Sequence, residues 1–168
     1  GAAKVTKDVP TASLMMQHAM TLVRMRLMKN EYMGTGLVSD MTFAGVLTSG
    51  TVDALTGAVT KDYNHGRGSV KVGGNYMLND ENPVIVDAIM IPRAAYDEQA
   101  SVSFVIDGQK HTYAFPVQHE WKAGMKYTYT LKMTGNYNAP VNKEQVDIDV
   151  EYWGQYGKTD DIVLNPNP

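Results

Sequence analysis

The strictest constraint in this chain is the alternation along residues 111–133, HTYAFPVQHEWKAGMKYTYTLKM. Tyr113, Phe115 and Val117 alternate with Thr112 and Ala114, and Tyr127, Tyr129, Leu131 and Met133 alternate with Thr128, Thr130 and Lys132. Side chains two apart share one face of a strand, so each half has one apolar and one polar face. Aromatic and β-branched residues suit such a half-buried pleated surface. Between the halves, Trp121-Lys122-Ala123-Gly124 supplies a large apolar plug and a glycine at which the backbone can turn. The stretch predicts two strands on a short connection, and antiparallel β structure.

The rest of the chain speaks the same way. Val102, Phe104 and Ile106 alternate before Asp107-Gly108, a strong two-residue hairpin signal. Val146, Ile148, Val150 and Tyr152 alternate with Asp147, Asp149 and Glu151. Residues 84–91, VIVDAIMI, are apolar at nearly every position, which predicts a central strand covered on both sides. Further strands are expected near 37–46, in two short pieces across 50–60, and weakly at Val70 and Val72; residues 61–69 read as loop. Residues 13–28 read as a strand whose apolar phase flips at Leu22–Val23, as a β-bulge would make it. A helix would instead set Leu14, His18, Leu22 and Met25 in one stripe. With β structure nearly everywhere after it, the bulged strand is preferred. The expectation is an antiparallel sandwich or barrel of about seven or eight strands. It spans residues 13–153, with a loose lead or edge segment at 1–12 and a tail at 154–168.

Composition excludes more than it proposes. Net charge is −3 with no basic cluster, so no nucleic-acid partner is expected. There is no cysteine, which removes disulfides, thiolate catalysis and thiolate metal sites. No apolar run reaches the ~20 residues of a membrane span, and Gly1-Ala2-Ala3-Lys4 reads as a trimmed start rather than a signal peptide. The four histidines, His18, His65, His111 and His119, lack the spacing that converges two imidazoles on one ion. His18 reads as a hydrogen-bonded core imidazole. The carboxylate row Asp147, Asp149, Glu151 reads as a solvated face that discourages edge-to-edge pairing rather than as a calcium or glycosidase site. Gly66-Arg67-Gly68 and Gly73-Gly74 precede no helix and so form no phosphate loop, and no Gly-x-Ser-x-Gly elbow is present. No enzyme activity, cofactor or metal is expected. Tyr32, Tyr63, Tyr76, Tyr96, Tyr137 and Tyr156 fall in expected loops and offer a second reading, a glycan-binding module.

Four motifs in order resemble those of Bacteroidetes fimbrillin-like proteins. They are the run Met16-Gln17-His18-Ala19-Met20-Thr21-Leu22-Val23-Arg24-Met25 and the segment Thr51-Val52-Asp53-Ala54-Leu55-Thr56-Gly57. Then come Tyr113-x-Phe115 with Trp121-x-Ala123-Gly124-x-x-Tyr127-x-Tyr129-x-Leu131, and Val150-x-x-Trp153. The resemblance covers Leu14 to Trp153 and implies a Greek-key, transthyretin-like β-sandwich. It implies a pilin or tip adhesin at the cell surface, built as a lipoprotein precursor whose upstream domain is missing here, so that this chain corresponds to a C-terminal domain. The implied partners are other pilin-type subunits joined by β-strand addition, together with a host glycan or protein. It makes His18, Trp121, Gly124 and Trp153 structural. Ile162, Val163 and Leu164 in the tail are the local candidates for a donated or self-paired strand, with the flanking prolines limiting its length.

Overall fold

A computed structural model describes residues 11–14, 17–65, 67–135, 146–153 and 160–163. Among these the chain forms thirteen strands and no helix. In order they are β1 (Thr11–Leu14), β2 (Thr21–Tyr32), β3 (Leu37–Leu47), β4 (Gly50–Val52), β5 (Val59–Lys61), β6 (Arg67–Val72) and β7 (Tyr76–Met77). There follow β8 (Val84–Met90), β9 (Ser101–Ile106), β10 (Gln109–Ala114), β11 (Met125–Gly135), β12 (Val146–Tyr152) and β13 (Asp160–Val163).

Two sheets carry the core. One has the order β10-β9-β3-β6, with β7 pairing the start of β3; the other has the order β12-β11-β2-β8. Their facing sides meet through Val38, Phe43, Phe104 and Ile106 on the first and Val23, Met25, Leu27, Tyr129 and Leu131 on the second. This is a sandwich, as the alternation predicts. Two small ladders, β1-β13 and β4-β5, stand outside the sheets, so the strand count exceeds the seven or eight expected. The pairing is antiparallel except for β2 and β11, which run parallel at the centre of the second sheet.

Three expectations are corrected. The two halves of residues 111–133 do not pair; β10 and β11 belong to opposite sheets. The link between them carries Phe115 and Trp121, both fully buried, and burying them takes the chain across the core instead of back along an edge. The Tyr113 and Tyr129 rings therefore meet across the sandwich, centroids 6.1 Å apart and tilted 53° to one another. Second, the strand after the lead begins at Thr21 and has no bulge at Leu22–Val23, since its register with β11 is unbroken from Leu22 to Lys29. Thr21, Leu22 and Val23 are all buried, so both faces of the sheet are covered at this end. The irregularity comes later, near Glu31 with φ 59°. Third, β8 is an edge strand. Val84, Val86, Ala88 and Met90 point inward, while Ile85 and Ile89 are exposed on the other face beside Asp87.

Local chemistry fixes the bends. Asp107 and Gly108 take φ of 47° and 82°, the left-handed pair that a tight hairpin needs. The Asp107 carboxylate also accepts hydrogen bonds from the Gly36 and Leu37 amides, 2.9 Å each, and from the Tyr32 hydroxyl, 3.0 Å. Gly45, at φ 70°, makes the bulge in β3 opposite β6, where an added Cβ would stand 2.3 Å from the Gln99 carbonyl oxygen.

Candidate assembly interface

The two sheets are unequal at one side. Ile148 stands opposite Tyr129 in the β11–β12 register, and Val150 opposite Tyr127. Directly opposed residues share a sheet face, so Ile148 and Val150 lie on the core-facing side. Yet Tyr127 and Tyr129 are buried while Ile148 is 37% and Val150 46% exposed. The reason is the opposite sheet, which ends at β10, and β10 lies over β11 through Tyr113 and Tyr129. Beside β10 the first sheet stops one strand short, and β12 extends beneath. Among the described residues nothing hydrogen-bonds the outer edge of β10. The result, among the described residues, is a lane with an apolar floor and an unpaired backbone edge along one wall.

His111 lies two residues before Tyr113 on β10, on the same face of the strand. Its ring stacks on Phe104 with centroids 6.0 Å apart, and its Nε2 is buried without a hydrogen-bond partner. Burial pushes the imidazole pKa down from its usual value, so the neutral form is favoured. Lys110 is exposed on β10, and Asp149 and Glu151 are exposed on the face of β12 turned away from the lane, with Glu151 paired to Lys126. The side chain of Asp147 lies outside the described residues.

The residues expected to be structural gather around the crossing between the sheets. Trp121 is buried, and its Nε1 donates to the Tyr129 hydroxyl at 2.8 Å. Burial foremost pushes the Tyr129 hydroxyl up to about 12. Phe115 meets Trp121 edge-on at 5.1 Å and Tyr129 at 4.7 Å. Gly124, at φ 72°, donates its amide to the Met20 carbonyl at 2.9 Å, and its own carbonyl accepts from the Trp153 amide at 2.8 Å. One glycine thus ties three distant segments. His18 is not the expected core imidazole. It is exposed in the bend before β2 and stacks on Trp153, rings 3.9 Å apart and 11° from parallel.

Ile162 and Val163 lie in β13, which pairs antiparallel with β1, Ile162 opposite Ala12 and Val163 opposite Thr11. Leu164 lies outside the described residues. Of the loop tyrosines, Tyr63 and Tyr96 are exposed, while Tyr32 is a buried end of β2 and Tyr76 packs partly against the core from β7. Tyr137 and Tyr156 lie outside the described residues. His65 contacts Asp62 within an exposed turn. No group of three or more histidines and carboxylates able to hold a metal occurs among the described residues.

Sequence reasoning missed Arg93. Its side chain is buried, its guanidinium sits 5.3 Å over the Trp121 ring, and the two backbones exchange hydrogen bonds of 3.0 Å. A lone arginine after Ile91-Pro92 carries no pattern that would signal this. Desolvation lowers its pKa from the usual arginine value.

The model of the fimbrillin-like family matches residues 1–153. No curated protein sequence matches the chain. Among solved structures, a candidate cell adhesion protein from Bacteroides ovatus aligns with TM-score 0.57 at 14% identity, covering 82% of this chain and 46% of that one. Another from Bacteroides uniformis aligns with TM-score 0.54 at 17% identity, covering 82% of this chain and 52% of that one. The likeness is one of fold, and the chain spans about half the length of each.

Proposed function

This chain belongs to the fimbrillin-like family, and from that premise we propose that it is a non-enzymatic cell-surface subunit, a fimbrial pilin or tip adhesin, that assembles by β-strand addition. The observation that carries the reading is the lane beside β10. A six-residue strand would match Gln109–Ala114 in length, pair with their free edge, and cover Ile148 and Val150 with its inward side chains. The gain is both a new hydrogen-bonded ladder and apolar burial, on the order of 1 kcal/mol or more for each side chain taken out of water. The proposed donor is the tail of another copy. Ile162 and Leu164 are two apart and fall on one side of a strand, and Asp160 and Asp161 precede them with charge opposite to Lys110. Because β13 is paired with β1, donation means exchanging that short ladder for a better-covered one.

The test is to shear native cells, run the released material unboiled in detergent, and probe for this chain. A ladder of bands that collapses on boiling is expected, together with its loss when residues 155–168 are removed. A single monomer band would sink the stalk role. That outcome would leave a tip adhesin or the glycan-binding reading, which retains exposed Tyr63 and Tyr96, and a glycan array separates those two.

A further inference from the structure

The β4–β5 hairpin projects from the opposite side of the sandwich, between the ends of β3 and β8. At its base lies a partly open cavity of about 390 Å³, lined by apolar Leu47, Val52, Ile89 and Ile91 and by polar Thr48 and Ser49 among others. At its tip Leu55 is 97% exposed. The tip is held rigid by its own hydrogen bonds. Asp53 Oδ1 accepts from the Leu55 amide at 2.8 Å and the Thr56 amide at 3.3 Å, and the Gly57 amide closes on the Asp53 carbonyl at 2.7 Å. A single exposed leucine is ordinary on a surface. A leucine fixed on a closed turn, continuous with exposed Val52 and Ile89 around a cavity, is an apolar tract with a shape.

We propose that this tract is a docking surface for a second copy of the chain, each Leu55 entering the other's cavity about a two-fold axis. Three observations choose this occupant. The knob and the hole are borne by the same chain, and the cavity is large enough for one leucine side chain with room left. Leu55 lies three residues beyond Val52 of the cavity wall, so knob and hole are at most about 10 Å apart. That spacing suits a reciprocal, closed contact rather than an open head-to-tail one, because a two-fold axis between them satisfies both knobs at once. The charges also agree. Lys61, half-buried at the hairpin base opposite Gly50, already acts on Asp97 of its own chain, and Asp53 lies at the tip, so a tip laid on a partner's base would add each Asp53 as a second carboxylate near the other's Lys61. Neighbouring Asp62 is already engaged by His65 and by the Asn64 amide at 3.0 Å. This surface is separate from the lane beside β10.

Sedimentation equilibrium of the full chain is expected to show a reversible dimer. Leu55→Asp should weaken it at least tenfold, and Asp53→Asn, which keeps the Oδ1 acceptor and drops the charge, should weaken it less. Thermal unfolding at low concentration should be unchanged in Leu55→Asp, whose side chain is solvent-exposed, and slightly lowered in Asp53→Asn, whose carboxylate caps the turn. The chain lacks cysteine, so mixing singly substituted Leu55→Cys and Ile89→Cys proteins under mild oxidation reads the contact directly. The mixed disulfide dimer should exceed the half share that random pairing of the two proteins would give. A monomer at about 0.1 mM chain overturns the proposal, as does a dimer indifferent to Leu55→Asp or a mixture without excess mixed dimer.

Discussion

The Tyr32 hydroxyl donates to Asp107 Oδ2 across 3.0 Å, joining the end of β2 to the β9–β10 hairpin over 75 residues of sequence. The second sheet thereby holds the turn of the first. Burial, the Asp107 hydrogen bond and the nearby charge push the tyrosine up to about 12. For Asp107, burial alone would raise the pKa. The amides of Gly36 and Leu37 and the Tyr32 hydroxyl outweigh it and hold the carboxyl below its usual range.

Asp107→Ala is expected to cost about 2 kcal/mol or more, because it leaves those donors without their charged acceptor. Asp107→Asn should cost less. The folded-state pKa is depressed, so this contribution is present above the ordinary aspartate pKa and is lost as pH falls through the lower folded value. Urea unfolding at neutral pH and below about pH 4 checks both, with the gap between wild type and Asp107→Asn narrowing in acid.

Tyr129→Phe removes the acceptor of the buried Trp121 N–H and is expected to cost about 1–3 kcal/mol. Trp121→Ala opens a cavity under Phe115 and Arg93 and should cost about 3–5 kcal/mol. If Tyr129→Phe proved neutral in denaturant titration, the indole bond would be no part of what steadies the crossing.

Two glycines with φ of 70° separate strain from space. Gly57→Ala meets nothing within 4 Å and should cost about 1 kcal/mol from backbone strain alone. Gly45→Ala drives a methyl into the Gln99 carbonyl and should cost clearly more. Equal thermal shifts in the two variants would contradict the bulge geometry of β3.

His111 makes stability pH-dependent near neutrality. Its folded pKa lies below the unfolded one, so the unfolded chain takes up the proton first as pH falls. The stability it contributes is complete above the ordinary histidine value of 6.5 and is lost on acidification below it. The midpoint of thermal unfolding should therefore fall further in wild type than in His111→Phe between about pH 7.5 and pH 5.

Which side faces inward was legible for the strands that alternate cleanly, because alternation encodes a face. Tyr127, Tyr129 and Leu131 are core residues as their spacing predicts, and Asp107-Gly108 turns where it should. What alternation does not encode is the neighbour. Residues 84–91 look central because Ile85 and Ile89 are apolar, yet β8 is an edge, and nothing in its own residues says which strand lies beside it. The same gap hid the crossing of residues 111–133 between sheets and the stack of His18 on Trp153, both of which depend on partners far away in sequence. The lane beside β10 was invisible for a related reason: Ile148 and Val150 look like any inward pair until the opposite sheet is found to stop short.

The parallel seam of β2 and β11 also sets an order of events. Thr21 donates its hydroxyl to the Met125 carbonyl at 3.0 Å, a contact spanning 104 residues, and Leu27 of β2 lies beside Leu131 of β11. No local hairpin can substitute for it, so β2 has only β8 beside it until the last third of the chain has been synthesised. Loop closure of that length precedes any reward, which places folding in the slow, non-local regime. A nascent chain of this kind can pair the strands of its first sheet, and β2 with β8, before β11 emerges, and closes its second sheet late, around a strand made early.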